Sequence, residues 1–387
     1  MPEYHQKNNP SFRKINVSFA TAQDYADFQV AIGQNLTDKT KSIWHPKPDR
    51  VPNFNLRWVE DGERTNPQYP VYIISKGRAD SMITSKSLRR MEVSHYIAIE
   101  PQDLADYEQA LINFDLKDFV TLLVLPFSNH GDGPGRARNW CWDHSIELGA
   151  KRHWVLDDNI FDFYRLHNNK RIRVESGAIF RAAEDFVDRY ENVPVSGFQY
   201  RFFIAPDSEY PAFVKNTRIY STLLIENTCP HRWRGRYNED TDLSLQVLKD
   251  PRGYCTIQFN AFLQGKAATQ TVSGGNTAEF YHAESVDEDG NTIKTTDTKD
   301  MKWNEGVNAT GTVNKSQWLK EMHPDGPTHP GGSPLVEVVW KYKRWHHYVD
   351  YSRFKNTEKN RLKRTQSGVT PNRTNNYGMK LIEDYGL

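Results

Sequence analysis

The sequence predicts an α/β protein with a largely parallel sheet in its first half and strands of mixed direction in its second. Continuous apolar runs at residues 69–74, 96–100, 120–125 and 153–156 are separated by helix-like segments at 103–114 and 137–148. Alternation of this kind belongs to parallel strands joined by helical crossovers. After Asn159 the pattern changes to antiparallel-looking runs at 195–204, 220–226 and 254–262.

Residues 1–66 are polar and rich in Pro and Asn. Within them Val17-Ser18-Phe19 reads as a strand and 22–32 as a short amphipathic helix, with Tyr25, Phe28 and Ile32 at helical spacing. This stretch is expected to be a small accessory module whose end, Thr40 to Pro46, docks on the main body or else touches a partner. The main domain is expected at 67–285. A polar, acidic excursion and a basic, aromatic extension fill 286–387.

In parallel sheets ligands gather at the carboxyl ends of the strands. The run ending at Ile74 leads into Ser75-Lys76-Gly77-Arg78, and the run ending at Leu156 leads into Asp157-Asp158-Asn159, so both should open on one rim. Adjacent carboxylates there are hard oxygen ligands suited to Mg²⁺ or Mn²⁺. An ordinary strand-to-loop turn is the alternative. Between these two strands, His130 to Asn139 is a glycine-rich loop entering a helix. It offers backbone N–H groups and the forks of Arg136 and Arg138 to phosphate oxygens, or else is a flexible turn with solvated arginines.

A second acidic cluster, Glu239-Asp240-Thr241-Asp242, opens the helix-like run that follows. Carboxylates in a first turn are favoured by the helix dipole alone. Alternatively one of them faces the cleft and takes a proton from an attacking hydroxyl. Asp240 is the expected base, with Glu239 beside it as the second catalytic candidate. The aromatic run 198–203 reads as one face of a buried strand or as the lining of an acceptor groove. Residues 265–276 read as a glycine-hinged loop that covers a substrate and excludes water, and His282 beyond it is a candidate third metal ligand with Asp157 and Asp158.

Composition narrows the class. At 387 residues the chain can bury a large core, and its formal net charge of +1 neither favours nor excludes a nucleic-acid partner. Three cysteines without a CxxC pair speak against a zinc site or a disulfide framework and fit a reducing cytoplasm. No signal pattern opens the chain, and no apolar run reaches the ~20 residues of a membrane span, so a soluble intracellular protein with no membrane partner is expected. From Lys341 to Arg364 cations alternate with Trp340, Tyr342, Trp345, Tyr348 and Tyr351, the combination that tracks phosphates and stacks on bases, unless the stretch is simply a solvated, lysine-rich terminal helix.

Six ordered blocks carry a family resemblance: 72–78, 135–139, 154–159, 232–245, Phe259-Asn260-Ala261-Phe262 and Gly274-Gly275-Asn276. Over about residues 69 to 285 the chain resembles the phage TET/JBP-associated glycosyltransferases, GT-A-type enzymes that modify hydroxymethylated pyrimidines in DNA. The amino-terminal stretch also looks like segments of other phage DNA-metabolism proteins. The resemblance implies a GT-A-like, Rossmann-type sheet that binds a nucleotide sugar. It also implies a UDP-sugar donor, Mn²⁺ or Mg²⁺, DNA containing 5-hydroxymethylcytosine as acceptor, and the cytoplasm of an infected bacterial host. Ser75, Lys76, Gly77 and Arg78 would then contact the nucleotide, Asp157 and Asp158 the metal and diphosphate, and Asp240 the acceptor hydroxyl. Relatives look to have a third aspartate where this chain has Asn159, which brings an oxygen but no charge. A nucleotidyltransferase, transfer to a non-DNA acceptor, and an inactive DNA-binding protein are the rival readings.

Overall fold

Ile74 and Asp157 are register partners at the ends of two parallel strands, and the cleft is organised around that pairing. The computed structural model describes residues 13, 15–37, 40, 43, 45, 55–131, 133–206, 208–268, 272–275, 283–286, 292–295, 312–324, 333–341, 344–365 and 375–384. In chain order the strands of the first half are β1 (Leu56–Glu60), β2 (Val71–Ile74), β3 (His95–Ile99), β4 (Val120–Val124), β5 (Arg152–Asp157), β6 (Ile160–His167) and β7 (Lys170–Val174). They are followed by β8 (Val195–Tyr200), β9 (Phe213–Lys215), β10 (Thr222–Glu226), β11 (Thr256–Lys266), β12 (Ala283–Val286), β13 (Thr292–Thr295), β14 (Val336–Lys341), β15 (Arg344–Val349) and β16 (Met379–Glu383). The helices used below are α1 (Ala22–Ile32), α2 (Ile83–Arg90), α3 (Leu104–Asn113), α4 (Gly135–Glu147), α5 (Ala178–Val187), α6 (Glu239–Lys249) and α7 (Thr312–Met322).

The main sheet has 12 strands in the order β16-β1-β7-β6-β11-β8-β10-β5-β2-β3-β4, with β9 added on β11. From β5 to β4 every pairing is parallel. Beyond β5 the directions mix: β10 is antiparallel to β5 and β8, and β11 is parallel to β8 but antiparallel to β6. This is the expected α/β architecture, parallel first and mixed afterwards.

β2, the Ile97–Ile99 part of β3 and the Trp154–Leu156 part of β5 are apolar because both faces of the sheet are covered there. Val71, Ile73, Ile97, Ile99, Trp154 and Leu156 enter one core, while the alternate residues Tyr72, Ala98 and Val155 pack toward Ala137, Cys141 and Trp142 of α4. In the first core, Phe180 of α5 lies edge-on to Trp154 at 5.1 Å and to Phe163 at 5.0 Å. Each such ring contributes about 1.5–3 kcal/mol by burial. The rigid block so formed fixes the carboxyl end of β5.

Val17-Ser18-Phe19 is not a strand. It pairs with no strand among the described residues, and Phe19 instead packs on Tyr25 and Phe28 at 5.2 and 5.1 Å, just before the capping box of Thr21 and Asp24. No residue of α1 is buried. Further on, β1 pairs with β7 and β16 in the main sheet. From the C-terminal stretch, Asn360 Nδ2 donates to the carbonyls of Leu248 and Tyr254, and Phe354 packs with Leu245 and Leu248 of α6. These contacts cross the boundaries expected at 66/67 and 285/286. The polar excursion lies mostly outside the described residues; within it β12 pairs with β13. Among the described residues no helix is long and apolar enough to cross a membrane.

Candidate active site

Three loops converge where β5 ends. Thr84 of α2 pins the turn: its hydroxyl donates to the Asp157 carbonyl at 2.7 Å and accepts from the Ile160 N–H at 2.8 Å. On the other side the Asp157 N–H donates to the Ser221 carbonyl at 2.9 Å. The backbone of Asp157-Asp158-Asn159 is therefore held from both neighbours before any ligand arrives.

Arg138, in the first turn of α4, is 4% exposed and ties the two acidic clusters together. Its Nη2 donates to Asp157 Oδ1 at 2.9 Å, while its Nη1 donates to Asp240 Oδ1 at 2.6 Å and to Glu239 Oε1 at 2.9 Å. Trp233 Nε1 donates to the same Asp240 oxygen at 3.2 Å. Trp233 is in turn locked by a reciprocal pair with Asn139 of α4, at 2.8 and 3.1 Å. Gly133 allows the two loops to meet, since at φ +85° a Cβ there would lie 2.7 Å from the Arg236 carbonyl.

Lys266, the last residue of β11, donates to Asp157 Oδ2 and, at 2.9 Å, to the Ser221 hydroxyl. Asp158 accepts from Arg78 Nη1 on Oδ1 and from the Ser75 hydroxyl on Oδ2 at 2.8 Å. Ser75 is paired with Tyr107 of α3 at 2.6 Å. Over Arg78 lies Gly274-Gly275: the Gly275 N–H donates to the Lys76 carbonyl at 2.8 Å. Gly274, at φ +80°, would place a Cβ 1.8 Å from the Gly77 carbonyl oxygen. Only glycine fits there.

The electrostatics follow from burial and partners. Burial raises the Asp157 carboxyl, but Lys266 and Arg138 outweigh it and hold the group well below the usual carboxylate range. Asp158 is raised by burial, which Arg78 and Ser75 only partly offset. Glu239 is pushed up to about 7 by burial and by the charge of Asp240, against the pull of Arg138. Asp240 is also raised, by burial first. Arg138 and Lys266, although buried, are kept charged by these carboxylates. The site thus holds a fixed anion at the strand end and proton-accepting carboxyls at the helix.

The groups line a cleft of about 320 Å³, together with Ser75, Lys76, Arg78, Glu100, Tyr200, Tyr220 and Tyr237. The pattern of the TET-Associated Glycosyltransferase family matches residues 69–275, a span that contains the whole cluster. The chain belongs to this family. The enzyme is accordingly a glycosyltransferase. No curated protein matches it. Among solved structures, the mannosyltransferase Ktr4p from S. cerevisiae is similar over 39% of this chain and 43% of that chain, at 12% identity and a TM-score of 0.22. That likeness spans less than half of either chain and is too slight to carry an argument.

In this TET-associated glycosyltransferase, Ser75, Lys76, Arg78, Arg138, Asp157, Asp158, Glu239 and Asp240 all line one cleft, and Gly77 lies under its glycine flap. Arg136 does not join them: it lines an adjoining cavity with Phe127, Trp140 and Arg234. His282 lies outside the described residues. Of the arginine run before the base, Arg232 stacks on Trp142 and Arg234 is paired with Asp242, which also binds His323 at 2.8 Å. In the basic tail, Arg353 bonds Asp350 and the Ser333 carbonyl, and Lys359 bonds the Lys249 carbonyl, so part of its charge is engaged within the protein. Sequence reasoning missed Lys266, Ser221, Tyr220 and the clamp of Trp233, and held Tyr200 only within the aromatic run 198–203. A lone lysine closing an otherwise buried strand was the available signal for Lys266.

The donor set at the strand end suits a hard cation. Each oxygen of Asp157 and Asp158 has a further lone pair, and the buried Asn159 Oδ1 has no hydrogen-bond partner among the described residues, its Nδ2 donating to the Ala267 carbonyl. No group of three or more His, Cys, Asp or Glu poised for a metal occurs among the described residues.

Proposed function

We propose that this enzyme transfers a sugar of the arabinose or glucose class from a UDP-sugar to the hydroxymethyl group of 5-hydroxymethylcytosine in DNA, in the cytoplasm of an infected bacterium. One observation carries the reading: a single guanidinium, that of Arg138, bridges the strand-end carboxylate Asp157 and the helix carboxyls Glu239 and Asp240. A diphosphate site and a proton acceptor are thereby set against each other at fixed separation. The family's association with TET supports the DNA acceptor.

Asp157 and Asp158, with Asn159 Oδ1 beside them, would hold Mg²⁺ or Mn²⁺, which when bound supplies Lewis acidity toward the leaving diphosphate. The rest of the chemistry belongs to the chain. Arg138 and Lys266 keep positive charge beside Asp157, so charge developing on the departing UDP meets dipoles and cations already in place. Ser75, Lys76 and Arg78 hold the nucleotide under Gly274-Gly275, which keeps water from the reacting carbon. Arg138 and Trp233 both donate to Asp240 Oδ1, which leaves Oδ2 for the acceptor. The hydroxymethyl oxygen attacks the anomeric carbon as its proton passes to Asp240. The bond from that carbon to the diphosphate oxygen breaks, UDP leaves with the electron pair, and the configuration inverts.

The test is nucleoside mass spectrometry of hydroxymethylcytosine-containing DNA incubated with the enzyme, Mn²⁺ and a mixture of UDP-sugars, beside unmodified DNA. A pentose or hexose mass gain confined to the hydroxymethylated base is the expected outcome. No gain on DNA, with UDP release when other acceptors are offered, would keep the transferase and discard its acceptor.

A further inference from the structure

The aromatic run that follows β8 divides at Tyr200. Phe198 points into the core at 1% exposure, whereas Phe202 and Phe203, in the turn just beyond the strand, are 65% and 50% exposed. They are not scattered surface residues. Tyr220 and Tyr200 line the cleft and lie 27° from parallel with centroids 6.2 Å apart; Phe202 continues the stack on Tyr200 at 5.1 Å and 20°, and Phe203 leans on Phe202 at 4.3 Å. A ladder of rings therefore runs from the reacting groups to the protein surface and ends on rings with free faces.

Its inner end is tied to the catalytic cluster. The Tyr220 hydroxyl pairs with Thr241, next to Asp240, at 2.7 Å, and the Tyr200 hydroxyl pairs at 2.7 Å with Ser221, which Lys266 also binds. Its outer end is flanked by cations. There Arg171 donates to the carbonyl of Arg201, the residue between Tyr200 and Phe202, while at the inner end Arg218 lies over the Tyr220 ring at 5.1 Å. Exposed rings supply a sequence-tolerant stacking face for bases, and nearby arginines supply the attraction to a phosphate backbone.

We propose that Phe202 and Phe203 form a stacking subsite for a nucleobase of the acceptor DNA, occupied when the target nucleotide leaves the helix to reach Asp240. A base buried in a duplex cannot deliver its substituent into a cleft of this size without unstacking, and the unstacked neighbour needs a new face. The inference rests on the DNA-acceptor reading above. Among the described residues the ring contacts of Phe202 and Phe203 are with Tyr200 and each other, so their removal should leave donor use untouched.

Phe202→Ala and Phe203→Ala enzymes, with Phe202→Trp as the conservative variant, are compared with wild type for transfer to hydroxymethylcytosine in a duplex and for slow hydrolysis of the UDP-sugar by water. The expected result is a rise in KM for duplex DNA of roughly ten- to a hundredfold in each alanine variant. UDP-sugar hydrolysis and thermal unfolding should be unchanged, and duplex KM should be near wild type in Phe202→Trp. Unchanged duplex kinetics in both alanine variants, with wild type active on DNA, overturn the stacking subsite alone. A wild-type enzyme that hydrolyses donor but never modifies DNA overturns the acceptor reading and the subsite with it.

Discussion

Lys266 and Asp157 form an ion pair across the mouth of the cleft, joining the end of β11 to the end of β5. Arg138 approaches the other oxygen of the same carboxylate, so Asp157 stands between two fixed cations. In the proposed mechanism that pairing sets how the site handles the charge of a leaving diphosphate.

Replacing Lys266 with Met removes one cation and leaves Asp157 on Arg138 alone. The expected result is a fall in kcat of about 10²–10³-fold, the usual effect of deleting one preorganised donor to a developing anion. UDP release under saturating donor measures it. A loss confined to KM would assign Lys266 to ground-state binding instead.

Acid should silence the enzyme early. Glu239 and Asp240 both hold their protons above the usual carboxylate range, Glu239 up to about 7. A base must be deprotonated to act, so kcat rises with pH through the neutral region and levels off above it, with an apparent pKa that belongs to the pair. A Glu239→Gln enzyme loses one of the two mutually repelling charges, and its acid limb should move to lower pH.

Gly275 tests the flap. A Cβ at this position would lie 2.7 Å from the Arg78 guanidinium, which is bound to Asp158. Gly275→Ala should therefore displace Arg78 and raise KM for the UDP-sugar roughly tenfold or more, while the melting temperature stays near wild type because the flap lies outside the core.

Glu184 couples stability to pH. Fully buried in α5, it accepts from the N–H groups of Gln68 and Tyr69 and from Trp154 Nε1, yet burial pushes it from 4.5 up to about 7. The folded state then binds the proton more tightly than the unfolded state. Its contribution is complete below the unfolded value and is lost as pH rises through about 7, a total of about 3 kcal/mol. Urea unfolding at pH 5 and pH 8 should show this loss in wild type and a flatter response in Glu184→Gln.

Much of this was legible in the chain because burial writes simple patterns. β2, β3 and β5 are covered on both faces and so read as unbroken apolar runs, which located the strand ends and with them Ser75, Arg78, Asp157 and Asp158. β1 was not legible: on the polar side of the sheet only Trp58 of its five residues is buried, and its partners β7 and β16 lie far off in sequence. Arg136 and Arg138 looked equivalent, but two helical steps turn a side chain by about 200°, so one faces the cleft and the other does not. The same step separates Asp240, in the cleft, from Asp242, which is bound by Arg234 and His323. Lys266 meets Asp157 because β11 runs antiparallel to β6, with Lys266 the register partner of Ile160 just past the strand-end turn, a relation that no local pattern carries.

The role of Asp240 is tested most directly by single-turnover transfer with Asp240→Asn, with donor binding measured in parallel and the anomeric configuration of the wild-type product read by NMR. The expected outcome is wild-type affinity for the UDP-sugar, a rate reduced by about 10²–10⁴-fold, and an inverted sugar. A variant that transfers at the wild-type rate, or a wild-type product that retains configuration, would contradict the assignment of Asp240 as the base of a single displacement.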